Sequence, residues 1–517
     1  MKFKLFPYHP FLIVAFQILS IYSININEVN FNTLIIVLSI SLLFTAISYF
    51  IISFFFNIRL SAIILTFYGF LFFVYGRTLD ILIDYPILSF DLGRNRYLLP
   101  FYVIIVILGT ILIIKSKFFS KNLELVTKYF NNFALGLVII TILTSMMNFD
   151  WTLLLKKDIE KIKPEKSINL ISKVYNNTKP NIYFIIFDSY VSPRILRKYY
   201  SWSDSMVVDG LKSRGFYVED NTRSNYCFSG ASVGATLSMR YIHEDREFIN
   251  AYNQDNYITK LYTDNEVMKI LKSKGYKIQG NVGLNNFPSN KQEKSLLSDD
   301  FIKLIIHISA LRIIQKRIII DQIRQDILKL LKGLKTPIES NKPTFTYVHI
   351  VAPHSPFVFN ADGSRPKYFE SSFGKFEDKT KFLNQVKFVG KEMIEIGDSL
   401  LINDPNAIII FQSDHGFGGM DDHIYLNRFS KAAKTNDRKK PPADYLDRRF
   451  GILNAIYLPK NMKVPQNITP VNLFRYLLNN LFDYNLEMLP DNQYFAVIKQ
   501  PYFFHNVTED INNSYEK

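Results

Sequence analysis

The segment Asn181–Phe187 reads NIYFIIF and runs directly into Asp188. It is almost entirely apolar, β-branched or aromatic, without the polar alternation of a strand that faces water on one side. Three later runs share this character: Thr344–Val351 (TFTYVHIV), Ala407–Phe411 (AIIIF) and Ile452–Leu458 (ILNAIYL). Such runs predict strands that are buried on both faces of a mostly parallel sheet.

A helical pattern lies between two of these runs. Apolar residues recur there at steps of four and three, at Phe382, Val386, Val389, Met393, Ile396 and Leu400. This spacing places them on one face of a helix. Alternation of strands and helices predicts an α/β sandwich with a mostly parallel central sheet.

Polar residues follow three of the predicted strands. Asp188 follows the first, Asp414 and His415 follow AIIIF, and His354 lies in the APHSPF block after TFTYVHIV. Ligands bind outside the carboxyl ends of strands in open sheets of this class. Carboxylate and imidazole ligands suit zinc or manganese, so the sequence predicts a site for one divalent ion. Taken singly, each residue has a plainer explanation, because an Asp after a strand often caps the next helix.

A nucleophile candidate, Ser229, opens a run of small residues (SGASVGATLS) after a polar turn. If Ser229 begins a helix, the unpaired amides there can hold a phosphate or sulfate. A metal ion at its Oγ would lower the hydroxyl pKa. The alternative is that the small residues merely let a helix pack closely on the sheet, and Thr222, Ser224 and Ser232 are nearby alternative nucleophiles.

The N-terminal part has the composition of a membrane domain. Five stretches carry no formal charge: Leu5–Asn27, Val29–Ile58, Leu60–Gly76, Tyr97–Ile114 and Tyr129–Phe149. A membrane-spanning helix needs about 20 mostly apolar residues. We therefore expect about five spans, or four spans plus a buried apolar segment if the short third stretch does not cross.

Four regions follow from this division. We expect a transmembrane domain at residues 1–149, a juxtamembrane linker at 150–180, a catalytic domain at 181–495 and a C-terminal tail at 496–517.

Basic residues indicate the orientation of the membrane domain. They concentrate before the first span, between the second and third, and between the fourth and fifth, at Lys2, Lys4, Arg59, Lys115, Lys117, Lys121 and Lys128. The positive-inside rule then places the N-terminus in the cytoplasm and everything after Asp150 outside. Five lysines after the last span favour the opposite orientation, but long trailing domains translocate largely regardless of charge.

The overall charge is basic, with 61 Lys and Arg against 46 Asp and Glu, a net charge of +15. No nucleic-acid-binding motif accompanies it, so we expect no nucleic-acid partner, and the single cysteine excludes an internal disulfide framework. The stretch Lys303–Lys335 is apolar and strongly basic. It is either an interfacial amphipathic segment near anionic lipid or a set of ordinary helices packed on the sheet.

Together, IYFIIFDSY, APHSPF, QSDHG and RFGILNAIYLP resemble the sulfatase-like branch of the alkaline phosphatase superfamily. With the predicted spans, the chain is most similar to membrane enzymes of the lipoteichoic acid synthase and lipid A phosphoethanolamine transferase type. The resemblance implies that Asp188, Asp414 and His415 bind the metal. It further implies that Ser229 is a metal-bound nucleophile and that His354 holds the substrate phosphate.

The sequence departs from true sulfatases at positions that matter. Their C-x-[PS]-x-R motif would put Arg at Ala231 or Val233, and their second Asp falls at Ser189. The resemblance therefore implies a one-metal, extracytoplasmic transferase of the cell membrane. It would move a phospholipid head group, phosphoglycerol or phosphoethanolamine, to a surface glycan or glycolipid, and His349 and His423 are further candidates for protonating the leaving oxygen. The alternatives are a hydrolase of sulfate or phosphate esters and a non-catalytic surface protein with the same fold.

Overall fold

The structure is a computed structural model. It describes residues 6–26, 29–84, 95–149, 179–249, 254–282, 285–286, 300–336, 340–366, 379–419, 422, 425, 441–459, 462–463, 466–497 and 500–513. The chain divides into two compact units. The first comprises Met1–Ser167 and Glu293–Lys316, and the second comprises Ile168–Gln292 and Arg317–Lys517.

The first unit is helical. Its N-terminal helices are α1 (His9–Ile24), α2 (Phe31–Ser53), α3 (Ile58–Asp84), α4 (Asn95–Lys115) and α5 (Lys117–Asn148). Among the described residues, α2 to α5 are long and apolar enough to cross a membrane. Helix α1 has 16 residues, about 24 Å at 1.5 Å per residue, which is less than the roughly 30 Å of a bilayer core. The sequence suggested that the third stretch is the one too short to cross, but that stretch lies in a helix of 27 residues. The helix that is short for a bilayer core is α1.

The second unit contains the predicted sheet. Its strands are β1 (Ile182–Phe187), β2 (Tyr217–Val218), β3 (Thr222–Arg223), β4 (Lys277–Val282), β5 (Asn285–Asn286), β6 (Thr344–Ile350), β7 (Ile408–Gln412), β8 (Gly451–Ile452), β9 (Asn454–Tyr457), β10 (Tyr494–Val497) and β11 (Gln500–Asn506). Seven strands form one sheet in the order β2-β9-β7-β1-β6-β4-β5. The four central strands, β7, β1, β6 and β4, run parallel, and the outer strands pair antiparallel. The mostly parallel α/β sandwich predicted from the sequence is confirmed.

The remaining helices follow the strands in alternation. In chain order they are α6 (Pro193–Tyr200), α7 (Ser205–Lys212), α8 (Ser229–Ser238), α9 (Arg246–Ile249), α10 (Gln254–Leu261), α11 (Glu266–Ser273), α12 (Asp300–Ile308), α13 (Arg312–Leu334), α14 (Lys379–Asn403), α15 (Ala443–Phe450), α16 (Pro470–Phe482) and α17 (Thr508–Asn512). All six apolar residues of the predicted helical pattern are buried in α14. Apolar cores cover both faces of the central strands, because β1 alone contributes alternate side chains to two separate clusters.

The two units differ from the expected domain boundaries. Helix α12 and the start of α13 belong to the first unit, although they follow β4 and β5 in the chain. Residues 500–513, expected to be part of a tail, form β11 and α17 in the second unit, where Ile511 is fully buried. Most of the expected linker, residues 150–178, lies outside the described residues.

Candidate metal centre and nucleophile

The topology brings three loops to one edge of the sheet. Strand β1 lies between β7 and β6 and is parallel to both, with Ile186 opposite Gln412 on one side and His349 on the other. The carboxyl ends of all three strands therefore point the same way. Asp188, the Asp414-His415 pair and His354 follow these ends, as the sequence predicts.

Two carboxylates and one imidazole form a buried group that could hold a cation. Ligand atoms of Asp188, His349 and Asp414 all lie within 4.8 Å of one another. His349 Nε2 is 3.4 Å from Asp188 Oδ2 and 3.7 Å from Asp414 Oδ2. Neither His349 Nε2 nor Asp414 Oδ2 makes an aligned hydrogen bond with any described residue. Because buried polar atoms without partners are costly, this arrangement fits a divalent cation, and its N and O donors suit zinc or manganese.

His415 lies beside this group. Its Nε2 is 3.6 Å from Asp188 Oδ1 and 3.7 Å from Asp414 Oδ2. Its Nδ1 lies 2.9 Å from the backbone oxygen of Gly416, to which the protonated nitrogen donates. That bond directs the lone pair of Nε2 toward the carboxylates, which is the orientation of a metal-binding imidazole. The structure thus brings together the three predicted ligands and adds His349, which sequence reasoning considered only as a proton donor.

The backbone orients the carboxylate of Asp414. Its Oδ1 accepts hydrogen bonds from the amides of His415 (2.9 Å) and Ser189 (3.3 Å), which leaves Oδ2 facing His349 and His415. Ser189 adopts φ +65°, a left-handed conformation that is uncommon for residues other than glycine. Its hydroxyl donates to Asp188 Oδ1 at 3.0 Å. Such strain clusters at functional sites, and here it places one amide on Asp414 and one hydroxyl on Asp188.

Ser229 is the first residue of α8, which is the helix start that the interpretation of Ser229 as a nucleophile beside an anion site requires. Its Oγ lies 3.2 Å from His415 Nε2. The N-cap, Phe228, makes no side-chain hydrogen bond to the helix, so first-turn amides of α8 can bind an anion. The alternative hydroxyls are placed differently. Ser224 and Ser232 donate to the backbone oxygens of Tyr226 and Asp414, and Thr222 is buried in β3.

His354 lies on the adjoining loop. Its amide donates to the backbone oxygen of Asp188 at 2.9 Å, and its ring centroid is 6.1 Å from that of His415. It is half-buried, whereas His349 and His415 are buried. The fully buried Gln385 of α14 holds this loop, because its Nε2 donates to the oxygen of His354 and its Oε1 accepts from the amide of Val358. His423, the other histidine considered, lies outside the described residues.

The charges of the group are coupled. Burial raises the pKa of the Asp188 carboxyl, but the imidazoles of His354, His349 and His415 outweigh it and hold that pKa well below its usual range. Burial lowers the pKa of His415, and the nearby Arg449 guanidinium lowers it further. These directions favour an ionised Asp188 and a neutral His415, as metal binding requires. Burial lowers the pKa of His349, but the hydrogen bond to Asp188 and the charges of Asp414 and Asp188 outweigh it and raise that pKa.

The sulfatase family model matches residues 180–450, more than half of the chain. The chain belongs to the sulfatase family. Among solved structures, the C-terminal periplasmic domain of EptC from Escherichia coli is 12% identical, with a TM-score of 0.37, covering 62% of this chain and 90% of that one. The same domain of the phosphoethanolamine transferase EptC from Campylobacter jejuni is 13% identical, with a TM-score of 0.32 and coverage of 59% and 89%.

A sulfatase is also among the similar structures. The putative sulfatase yidJ from Bacteroides fragilis is 12% identical to this sulfatase-family chain, with a TM-score of 0.35 and coverage of 63% and 83%. None of the curated proteins compared with the chain matches it.

Proposed function

We propose that this sulfatase-family protein is a membrane-anchored transferase that moves a phospholipid head group to a cell-surface glycan or glycolipid. The head group would be phosphoglycerol or phosphoethanolamine. One observation carries the proposal: Ser229 Oγ lies at a helix N-terminus, 3.2 Å from His415 and beside the Asp188–His349–Asp414 group. The described residues of the same chain include four helices long enough to cross a membrane. A lipid donor suits such a chain, because the substrate and the enzyme share the bilayer.

The environment of Cys227 supports a serine enzyme. Cys227 is fully buried, and its Sγ contacts the backbone amide and oxygen of Ala496 at 3.3 and 3.5 Å. Burial raises the pKa of its thiol to about 11. This cysteine is therefore not available as the sulfatase nucleophile. The Arg position of the sulfatase motif is the buried Ala231 if the motif starts at Cys227 and the buried Val233 if it starts at Ser229, and either residue disfavours sulfate-ester chemistry.

Transfer would proceed in two displacements at phosphorus. In the first, Ser229 Oγ, as the alkoxide left after its proton has passed to solvent, forms a bond to phosphorus, and the bond from phosphorus to the diacylglycerol oxygen breaks, with the head-group phosphate left on Ser229. In the second, an acceptor hydroxyl attacks the same phosphorus and Ser229 is released. A divalent ion held by Asp188, Asp414 and His415, with His349 beside them, would lower the pKa of the Ser229 hydroxyl and neutralise charge on the phosphate.

Amides of α8 and the side chain of His354 would bind the phosphate, and His354 would also transfer protons. First-turn amides of α8 would bind the phosphoryl oxygens. His354 follows β6 on the adjoining loop and is less buried than His349 and His415, so it suits contact with the substrate phosphate. We assign it to hold the phosphate and to protonate the departing diacylglycerol oxygen. In the second displacement, the same imidazole would take the proton of the acceptor hydroxyl.

The experiment traps the intermediate. The full chain in detergent is incubated with phosphatidylglycerol or phosphatidylethanolamine and Zn²⁺ or Mn²⁺, and the peptide from Ser224 to Arg240 is analysed by mass spectrometry. We expect a head-group phosphate ester on Ser229 and release of diacylglycerol. Ser229→Ala should abolish both and Ser229→Thr should retain them, while Ser238→Ala, at the far end of α8, is the matched control. Diacylglycerol release at the wild-type rate from the Ala variant would rule out this role for Ser229.

Two further readouts of the same samples separate the alternatives. Free head-group phosphate in the absence of an acceptor, at a rate equal to diacylglycerol release, would favour the hydrolase that the family also includes. Elemental analysis should find close to one divalent ion per chain, lost in Asp188→Ala and Asp414→Ala. Two tightly held ions would instead favour hydrolysis of the two-metal type.

A further inference from the structure

Arg449 joins two loops of the site that lie far apart in the sequence. Its Nε and Nη2 donate to the backbone oxygen of Cys227 at 3.0 and 2.6 Å, and its Nη1 lies 3.3 Å from the backbone oxygen of Gly416. Cys227 is two residues before Ser229, and Gly416 directly follows His415. We propose that Arg449 is a positioning residue that fixes Ser229 relative to Asp414 and His415.

The backbone of α15 reinforces this connection. The amide of Gly416 donates to the backbone oxygen of Arg449 at 2.7 Å. A Cβ at Gly416 would lie 2.1 Å from the backbone oxygen of Arg448, so only glycine permits this approach. The loop with His415 is therefore held against the end of α15 by both the main chain and the side chain of one residue.

The same guanidinium determines where α8 begins. Phe228 is the N-cap of α8, and the carbonyl that Arg449 holds belongs to the residue before it. Arg449 also lies 5.9 Å from the centroid of the Phe228 ring. Fixing this turn fixes the first-turn amides and Ser229 Oγ together, which are the groups that the proposed function places on the phosphate.

Stability alone does not account for this buried charge. Arg449 is 5% exposed and pairs with Asp422 at 3.2 Å, and Asp422 also accepts from Tyr445 Oη and the amide of Gly418. Replacing such a buried pair with well-packed apolar residues is often neutral or stabilising. An apolar pair, however, cannot donate to the carbonyls of two loops. The contacts that require Arg are the hydrogen bonds to the backbone oxygens of Cys227 and Gly416, which link the loop before Ser229 to the loop with His415.

The inference rests on the proposed role of Ser229, and the chain offers a matched control. Arg475 donates from Nε to the backbone oxygen of Met239, at the opposite end of α8, and from Nη1 to the oxygen of Glu487. Arg475→Lys thus removes the same kind of contact from the same helix at a point distant from Ser229. Arg449→Lys keeps the charge and loses the two-carbonyl geometry. Arg449→Met combined with Asp422→Leu removes the buried pair as a unit.

The experiment measures the rate constant of adduct formation on Ser229 in single turnover, separately from its amplitude. We expect Arg449→Lys and the double variant to lower the rate constant about 100-fold, since a displacement of about 1 Å can cost that much. The donor concentration at half-saturation should not change, because Nε, Nη1 and Nη2 of Arg449 all donate within the protein, to Cys227, Gly416 and Asp422. Arg475→Lys should leave the rate constant unchanged. A lower amplitude at the wild-type rate constant in the Arg449 variants would mean that Arg449 only supports folding, and would overturn the proposal.

A second measurement does not depend on the substrate. If the wild-type chain forms no adduct with either phospholipid, the proposed function fails, and Ser229→Cys is then alkylated with iodoacetamide in metal-free protein. The only other cysteine, Cys227, is fully buried, so the reaction reports on position 229. A different alkylation rate when Arg449→Lys is added, but not when Arg475→Lys is added, would support positioning by Arg449. Equal rates in all three backgrounds would refute it.

Discussion

Among single residues, Asp204 has a buried carboxyl group whose surroundings disfavour the ionised form. It is 3% exposed, Tyr190 Oη donates to its Oδ2 at 2.5 Å, and its Oδ1 has no hydrogen-bond partner among the described residues. Burial raises the pKa of Asp204 to about 7, and the hydrogen bond from Tyr190 offsets this only in part. Between about pH 4 and pH 7 the folded chain therefore holds a proton that the unfolded chain has released. Stability conferred by the neutral carboxyl is complete below pH 4 and falls as the pH rises through this window.

Asp204→Asn should remove this pH dependence. The amide has nearly the same shape, stays neutral and can still accept from Tyr190. At pH 8 we expect the variant to be more stable than the wild-type chain by up to roughly 4 kcal/mol, for a shift of about three pKa units, and nearly equal at pH 4. Denaturant unfolding of the full chain in detergent at both pH values measures the difference. A variant less stable than wild type at pH 8 would show that Asp204 is ionised in the folded protein.

At the scale of elements, the packing of α12 on α3 depends on Gly76. A Cβ at this position would lie 2.1 Å from the backbone oxygen of His307, and backbone atoms cannot move aside as a flexible side chain can. Around it, the amide of Ala310 donates to Phe72 O at 2.8 Å, and Arg312 Nη1 pairs with Asp80 Oδ1 at 2.7 Å. Gly76→Ala should therefore cost about 1–3 kcal/mol by overpacking.

A second glycine of the same unit provides the control. A Cβ at Gly136, in α5, would meet no atom within 4 Å. Gly136→Ala should change stability by no more than about 1 kcal/mol, in the favourable direction expected of alanine in a helix. The thermal unfolding midpoints of the two variants in the same detergent provide the comparison. Equal midpoints would mean that α12 does not pack against Gly76.

The amphipathic stretch Lys303–Lys335 shows where sequence reasoning reaches its limit for an element. Its apolar residues pack in two different places. Ile305 and Ile308 of α12 pack among side chains of α1, α2 and α3, together with Phe301, which precedes the stretch. Further along, Ile320, Ile327 and Leu331 of α13 are buried in the core of the second unit. Periodicity identifies an apolar face, but it does not say which partner covers that face.

For the whole molecule, the sequence predicted the sheet and the residues at its edge because buried parallel strands have a distinctive composition. Asp188, Asp414 and His415 directly follow such strands, so their convergence depended only on the strand order. His349 was not predicted as a possible ligand, since it lies inside β6 and only the register beside Ile186 brings it to the carboxylates. Arg449 opens the RFGILNAIYLP block that contributes to the family resemblance, but the sequence does not predict its contacts, because its partners are backbone oxygens of residues 222 and 33 positions away.

The membrane topology is the property of the whole chain that is most open to test. Lys and Arg concentrate in alternate loops, which predicts a cytoplasmic N-terminus and an external position for the residues after Asp150. Packing within the first unit agrees. Helix α12, from a part of the chain after Asp150, contacts Ile18 and Tyr22 near the end of α1, Leu34 near the start of α2 and Phe73 in the second half of α3. With α1 leaving the cytoplasm, these three regions face the external side.

Reporter fusions after Glu28 and after Asp150 should therefore both report the external side, and a fusion after Phe56, between α2 and α3, should report the cytoplasm. The Phe56 fusion is the control, because it shares α1 and α2 with the Asp150 fusion and differs from it only in the number of crossings that follow. Because α1 is short, the fusions also test whether it crosses the membrane. If its 16 residues do not cross, the Glu28 and Phe56 fusions exchange sides while α3, α4 and α5 keep their alternation, and the Asp150 fusion reports the cytoplasm. That result would remove the phospholipid of the outer leaflet and the surface glycan as proposed substrates, and Ser229, as the proposed nucleophile, would need an intracellular donor.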